Sequence, residues 1–511
     1  MGKEGLKSGI IVLVVASIFR LMWLTDFPPH LRNDEASLEY NAYSITKTLK
    51  DEHGHTLPIL FKSFGDWKPG LYIYLTMPFV LLLGPTDLAV RLPGAISGVI
   101  AVYLIYHLVF ELFSDRKLAM YSALLLALAP WHIAFSRGAW EAQVTVTLTV
   151  AAVTCFLRGL KGNDKLLLLS AFLFGCTFLM SHSAKAATPI VVLSLLVVYG
   201  RRIIKVKRKT LFLSVLIIAL FVLPVVLSFV SGKSTRVEFL FEDSIEFTRL
   251  VEKWLEHFSL ERMFLTGDGN PQHGGYGFGA LMVMDVILFF VGVVVFLRRE
   301  SGYLPFLFLL LWLVLSPLSS VFTHEGINYV RYMNVFVPVT VVLAMGFRFL
   351  RNKKFFWVFA FLYLANFVFF LDAYLVHSSK KSVAWQYGYK QIVNYISPIQ
   401  NDYQKVYVAQ SSDQPYIYFL LYQKYPPAKY QEVSLSVFDP TPLDSGMGRV
   451  VLLDNIEFVD LEKTEFPVDK TFLVVVPSKV DYLIDKYKLE RLFTVEDALG
   501  FPLYEIVSNK I

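Results

Sequence analysis

Asp34, Glu35 and Glu141, with the cations Lys68, Lys185 and Arg331, are far apart in the chain, yet each lies at or near the end of an apolar run. Acids and cations together suit one kind of chemistry. A carboxylate accepts the proton of a hydroxyl nucleophile while cations stabilise a departing phosphate. Leu38, Ala42, Ile45 and Leu49 form one stripe of a helix, and counting back four places puts Asp34 on that stripe. The spacing predicts that Asp34 points inward and that Glu35 lies about 100° away, beside Glu39. A plainer role is equally compatible with the spacing: Asn33 or Asp34 caps the helix and Glu35 complements its dipole.

The other candidates also have two readings. Lys68 sits in Phe64-Gly65-Asp66-Trp67-Lys68-Pro69-Gly70, where Pro69 reads as a first helical turn and Lys68 suits either a site or a headgroup contact. Arg91-Leu92-Pro93 reads as an interfacial anchor. Glu141 follows Ser136-Arg137 and leads into Thr145, Leu148 and Ala152, a face small enough for packing inside a bundle. Lys185 ends Ser181-His182-Ser183-Ala184-Lys185, and Arg331-Tyr332 comes soon after His324-Glu325. The glycine-rich loop 267–277 reads as a lid; its Asp268 and His273, with His324, are candidate substrate contacts. That loop follows no strand, so it is no nucleotide-binding fingerprint, and no Walker or Rossmann motif occurs elsewhere. Cys155 and Cys176 lie within apolar runs and read as small core residues, and no Cys/His spacing resembles a zinc site.

The elements that must position these residues are membrane spans. The chain has 511 residues, 55% of them hydrophobic and only 18% charged, which excludes an ordinary soluble enzyme. The net charge of +6 does not imply nucleic acid, because Lys and Arg cluster in short segments between apolar runs. About eleven runs have spanning length, near 9–25, 89–113, 117–135, 142–160, 165–181, 187–200, 210–230, 280–297, 303–321, 334–350 and 355–373. The first lacks a cleavage site and reads as a retained helix. The run 70–84 is short and broken by Pro78. If it does not span, Arg116-Lys117, the basic run 201–209 and Arg298-Arg299 all fall in the cytoplasm, as the distribution of basic loops requires. It is then an amphipathic or re-entrant segment at the outer surface. The N-terminus is expected inside a cell (plasma) membrane, and the loops 26–88 and 231–279 outside. Residues 1–373 form the membrane domain. Residues 374–511, with β-type runs at 405–409, 450–454, 471–476 and 502–507 and helix-like stretches at 383–396 and 413–423, form an outer α/β domain of about 135 residues.

At Asp34-Glu35, Lys68-Pro69, Arg91-Leu92-Pro93, Ser136-Arg137…Glu141 and Arg331-Tyr332 the chain resembles the GT-C membrane glycosyltransferases. The likeness is to the family 39 group of protein O-mannosyltransferases and lipid A aminoarabinose transferases, and covers roughly residues 10–350. It implies an all-α polytopic membrane fold carrying a small C-terminal extracytoplasmic α/β domain. It also implies a polyprenyl-phosphate sugar donor, a glycan, lipid or protein acceptor, chemistry at the outer leaflet and inversion at the anomeric carbon. By the same resemblance Asp34 is the base or acceptor-orienting acid, with Glu35 and Glu141 as further catalytic acids. Lys68, Lys185, Arg331 and Tyr332 are then near the donor phosphate. Glu141 stands where many relatives have Asp, and Gly70 replaces a second Pro, so a divalent metal is left open. The rival class, a transporter or flippase of lipid-linked glycans, would carry polar or broken-helix features near the midplane in repeated halves. Here the charges lie at the rim and no repeat is visible.

Overall fold

Every apolar run expected to span contains a helix in the computed structural model. The structure describes residues 3–232, 246–273, 278–298, 302–324, 326–347, 350, 353–378, 382–410, 414–441, 448–467, 469–478 and 481–510. The first ten helices are α1 (Lys3–Leu21), α2 (Asn33–Thr48), α3 (Leu71–Leu83), α4 (Asp87–Phe113), α5 (Arg116–Leu128), α6 (Pro130–Arg137), α7 (Glu141–Gly159), α8 (Asp164–Phe178), α9 (Ala184–Ile203) and α10 (Arg208–Val230). Apolar helices follow at Asp285–Leu297, Tyr303–Leu315, Phe336–Phe347 and Lys353–Asp372.

Among the described residues seven helices are long and apolar enough to cross a membrane, or eight if the bent pair α5–α6 is one span. The expected count was higher. Three expected spans fall short for physical reasons: α8 and Asp285–Leu297 have 15 and 13 residues, reaching about 20–22 Å against a hydrocarbon core of about 30 Å. The third, α1, carries Lys3, Glu4, Lys7 and Arg20. The helix α3 also has 13 residues, in keeping with a segment that does not span.

The chain divides into two compact units, 1–24 with 91–377 and 25–90 with 378–511. The division near residue 377 lies close to the expected boundary. The first long loop, however, belongs with the C-terminal residues and not with the helices.

In the helical unit the apolar faces explain themselves. The stretch Tyr329–Phe347 is 83% buried and central, whereas α10 is only 11% buried and displays Phe212, Val215 and Leu220 outward. Exposed aliphatic and aromatic surface on such helices is suited to lipid. Gly292 and Gly346 let Asp285–Leu297 and Phe336–Phe347 meet backbone to backbone, because a Cβ at either would overlap the facing main chain. The 56° break between α5 and α6 follows from Pro130, which has no N–H to donate. The Leu126 and Ala127 carbonyls near the end of α5 instead accept bonds from the buried Arg20 guanidinium, at 3.0 and 3.1 Å. Arg20 also reaches His132 Nδ1 in α6 (2.7 Å).

In the second unit, α2 is enclosed by α3 and by the helices Tyr416–Tyr422 and Pro427–Val433. Strands β1 (Leu60–Ser63) and β2 (Asp66–Pro69) form an antiparallel hairpin. Its two-residue turn, Phe64-Gly65, has positive φ at both positions (55° and 86°), as a tight turn matched to strand twist demands. The remaining strands are β3 (Lys405–Ala409), β4 (Phe438–Asp439), β5 (Arg449–Val450), β6 (Leu452–Leu453), β7 (Ile456–Val459), β8 (Phe472–Pro477), β9 (Glu490–Glu496) and β10 (Pro502–Ser508). Six of them form one mixed sheet in the order β6-β7-β3-β8-β10-β9, with β3 parallel to β7 and β8. Tyr407, Phe472, Val474, Val476 and Val507 pack with Phe466 and Leu483 on one face. Strands β7 and β9 were not anticipated, because Ile456–Val459 is short and Glu490–Glu496 is charged on its exposed side. The expected helix at 413–423 is observed as Tyr416–Tyr422; residue 413 lies outside the described residues.

Candidate active site

The acid-bearing helix α2 has no solvent face over 35–42, where every residue is buried. The expected single stripe therefore does not decide orientation. Glu35 is fully buried, and its Oε2 accepts the Arg32 backbone N–H at 3.1 Å beside the Arg32 guanidinium (3.7 Å). This is the geometry of a helix cap. Asn33 Oδ1 accepts the Asp34 N–H at 2.8 Å, so Asn33 and Glu35 make the N-terminal bonds and the Asp34 carboxylate is left to other work. Its side chain is 43% exposed and pairs with Lys68 Nζ. The expectation that Asp34 is buried and Glu35 turned away is thus reversed in burial, because tertiary neighbours cover the Glu35 side of the helix. Leu49 is also no part of a buried stripe: it ends α2 in a left-handed conformation (φ 58°).

Lys68 is carried on strand β2, not on a helical turn; α3 starts only at Leu71. Its side chain is 10% exposed and its ammonium lies 4.6 Å from the Phe64 ring centre. A hairpin strand gives this lysine a fixed direction toward α2 that a flexible loop would not. Gly70 is required beside it, because a Cβ there would collide with the Phe61 ring and with the Ile59 carbonyl oxygen.

The helical unit assembles a second group. Glu141 begins α7, and Thr145 Oγ1, one turn on, lies 2.9 Å from both the Glu141 carbonyl and Ser181 Oγ. That bond sets the start of α7 beside the loop leading to Lys185, whose ammonium is 3.2 Å from His182 Nδ1. The turn Tyr329–Tyr332, which carries Arg331, packs against both α7 and α9. Glu141, Lys185 and Arg331 are therefore on neighbouring elements.

Other expected contacts have partners within the fold. Asp268 Oδ2 accepts His273 Nδ1–H (2.6 Å) and the Tyr329 N–H (2.8 Å), while the His273 ring sits against Phe135 and Trp140. The pair clamps its loop in place; residues 274–277 of that loop lie outside the described residues. Tyr332 is buried among His257, Tyr329 and Phe336 and belongs to the core. His324 is exposed, and Glu325 lies outside the described residues. Arg137 and Arg91 are buried too: they donate to the carbonyls of Phe19, Trp23 and Leu24 at 2.9–3.0 Å, closing the end of α1. Read from the sequence they were a motif and an interfacial anchor; their spacing from α1 carries no signal of the carbonyls they serve. Among the described residues no three His, Cys, Asp or Glu side chains assemble a metal site.

Known proteins give the same architecture. A family model, Dolichyl-phosphate-mannose-protein mannosyltransferase, matches residues 68–228. "Putative mannosyltransferase YycA" of Bacillus subtilis (strain 168) is 29% identical over 187 residues, 35% of this chain, and the match spans only 26% of that relative's length. ArnT from Cupriavidus metallidurans, solved in the apo state and bound to undecaprenyl phosphate, superposes with TM-scores of 0.61 and 0.62 at 13% and 14% identity, over 98% of this chain and 97% of ArnT. The Archaeoglobus fulgidus oligosaccharyltransferase, solved with Zn and sulfate, gives a TM-score of 0.51 at 14% identity over 81% of this chain and 61% of that one. The chain is thus a multi-pass membrane protein with the ArnT fold, and its residues 68–228 are similar to the mannosyltransferase family model.

Proposed function

We propose that this protein transfers a sugar from a polyprenyl-phosphate donor to an acceptor hydroxyl at the outer face of the membrane, with inversion. The observation that supports this reading best is the Asp34–Lys68 pair, in which a half-exposed carboxylate is held by a lysine from the β1–β2 hairpin. As the acceptor oxygen forms its bond to the anomeric carbon, its proton passes to the Asp34 carboxylate. The bond between the anomeric carbon and the phosphate oxygen breaks on the opposite face, and its electron pair leaves on the polyprenyl phosphate. The leaving group then carries one more negative charge than it did in the donor. The sequence resemblance assigns Lys185 and Arg331 to the donor phosphate, as cations suited to this charge, while Lys68 keeps Asp34 oriented. Glu141 lies with those cations and orients the sugar or acceptor. Glu35 and Tyr332 are left out of the reaction, as cap and core residues.

The test is transfer by the purified full chain in lipid vesicles, with polyprenyl-phosphate mannose and its aminoarabinose counterpart as donors. Release of polyprenyl phosphate that depends on an added acceptor and on Asp34 is expected. Equal release by Asp34→Asn protein would overturn the assignment.

A further inference from the structure

Glu52 is fully buried, and hydrogen bonds tie it to α2 and, through α2, to the hairpin that carries Lys68. Asp34, Ser37 and Asn41 recur at helical spacing on one side of α2. Asn41 Nδ2 donates to Glu52 Oε1 (3.0 Å), and the Glu52 N–H donates to Asn41 Oδ1 (3.0 Å). The same Asn41 amide donates to the Ser37 carbonyl (3.0 Å), and Ser37 Oγ lies 2.6 Å from Ser63 Oγ. Ser63 faces Asp66 across the hairpin, two residues before Lys68. The Tyr416 hydroxyl faces Glu52 Oε2 at 3.5 Å.

We infer that Glu52 acts as a neutral carboxylic acid that positions α2 and the hairpin so that Lys68 pairs with Asp34, and that its ionisation disrupts this pairing. The inference rests on the proposed role of Asp34. Burial is the largest influence on Glu52, and it raises the acid to about 8. The neighbouring Asp51 charge acts in the same direction, while the Asn41 and Tyr416 bonds and the Lys68 charge oppose it. Asp51 is itself paired with His55 (2.9 Å). The other titratable groups facing Glu52 are the tyrosines Tyr40 on α2 and Tyr430 on Pro427–Val433, both pushed upward by burial first, so neither adds charge near neutrality. Among the described residues the cation that acts on Glu52 is Lys68. Once ionised, Glu52 competes with Asp34 for that ammonium. Two carboxylates then share one cation, and the catalytic pair loosens.

The experiment is the pH dependence of kcat/KM for the full chain with a polyprenyl-phosphate sugar donor. The wild-type rate is expected to fall about tenfold per pH unit above about pH 8. The neutral isostere Glu52→Gln should lose that alkaline limb, while Glu52→Ala, which cannot hold Asn41, should be at least about tenfold slower at every pH. Infrared difference spectra of the wild-type protein give a measurement that needs no folded variant. A carbonyl band of a protonated acid should disappear on titration through pH 8. An unchanged alkaline limb in Glu52→Gln protein, or the absence of that band, overturns the inference. An active Asp34→Asn enzyme would instead sink the assignment of Asp34, whatever the Glu52 profile shows.

Discussion

Replacing Asp34 with Asn removes the negative charge and keeps the shape. The Lys68 side chain, 10% exposed, is then left beside a neutral amide, while the Asp34 position itself is 43% exposed. Breaking a fully buried ion pair costs about 3–5 kcal/mol. Water reaches the acid side here, so a loss of stability of about 1–2 kcal/mol is expected. The loss of turnover should be larger. Positioned general-base help contributes at least about a hundredfold, equivalent to about 2.7 kcal/mol at 1.36 kcal/mol per tenfold. The helix itself should survive, because its N-terminal bonds come from Asn33 and Glu35. Turnover is measured in vesicles and donor binding separately, by displacement of a labelled polyprenyl-phosphate sugar. The expected pattern is near-normal donor binding with turnover down a hundredfold or more. The companion Asp34→Asn/Lys68→Met protein removes the stranded ammonium and should recover stability without recovering turnover. Turnover within threefold of wild type in the single variant would refute the general-base reasoning. Recovery of turnover in the double variant would mean that the stranded charge, not a missing base, caused the defect.

Three further outcomes follow from the same geometry. Lys185→Gln and Arg331→Gln should each weaken donor binding about tenfold or more, the value of a charge-assisted contact of about 1.5–3 kcal/mol; unchanged affinity in both returns these residues to interface anchors. Gly70→Ala should lower the thermal midpoint and reduce turnover together, because its Cβ meets the Phe61 ring beside Lys68. Restoration by Phe61→Ala in the same chain checks that this overlap is the cause. A cysteine near Gly267, at the exposed Thr266, should react with an impermeant thiol reagent added outside intact cells, and one at Lys205 should not; labelling at 205 would reverse the orientation used for the outer-face proposal.

The apolar runs were enough to establish a polytopic helical membrane protein, because about twenty apolar residues have few other stable fates. Strands β3, β8 and β10 were visible as β-branched runs, and the acids and cations stood out by chemical type alone. Burial around α2 was not legible. Its stripe spoke for one buried side, but residues 35–42 are buried all round, with α3, Tyr416–Tyr422 and Pro427–Val433 packed against the helix. Two of those partners lie hundreds of residues away, and local periodicity carries no record of them. The same holds for Lys68. Pro69 suggested a helical turn, yet the Phe64-Gly65 turn folds the lysine into a hairpin that aims it at Asp34. Arg91 read as an interface anchor and Arg137 as part of a motif, because their partners are backbone carbonyls, which every residue possesses and no sequence pattern marks. Nothing in the sequence singles out Glu52, since an acid becomes a neutral hydrogen-bonding group only when the fold removes its water. Residue type limits which chemistry is available; which carboxylate caps, which pairs and which loses its charge depends on desolvation and on contacts that exist only after the chain has folded.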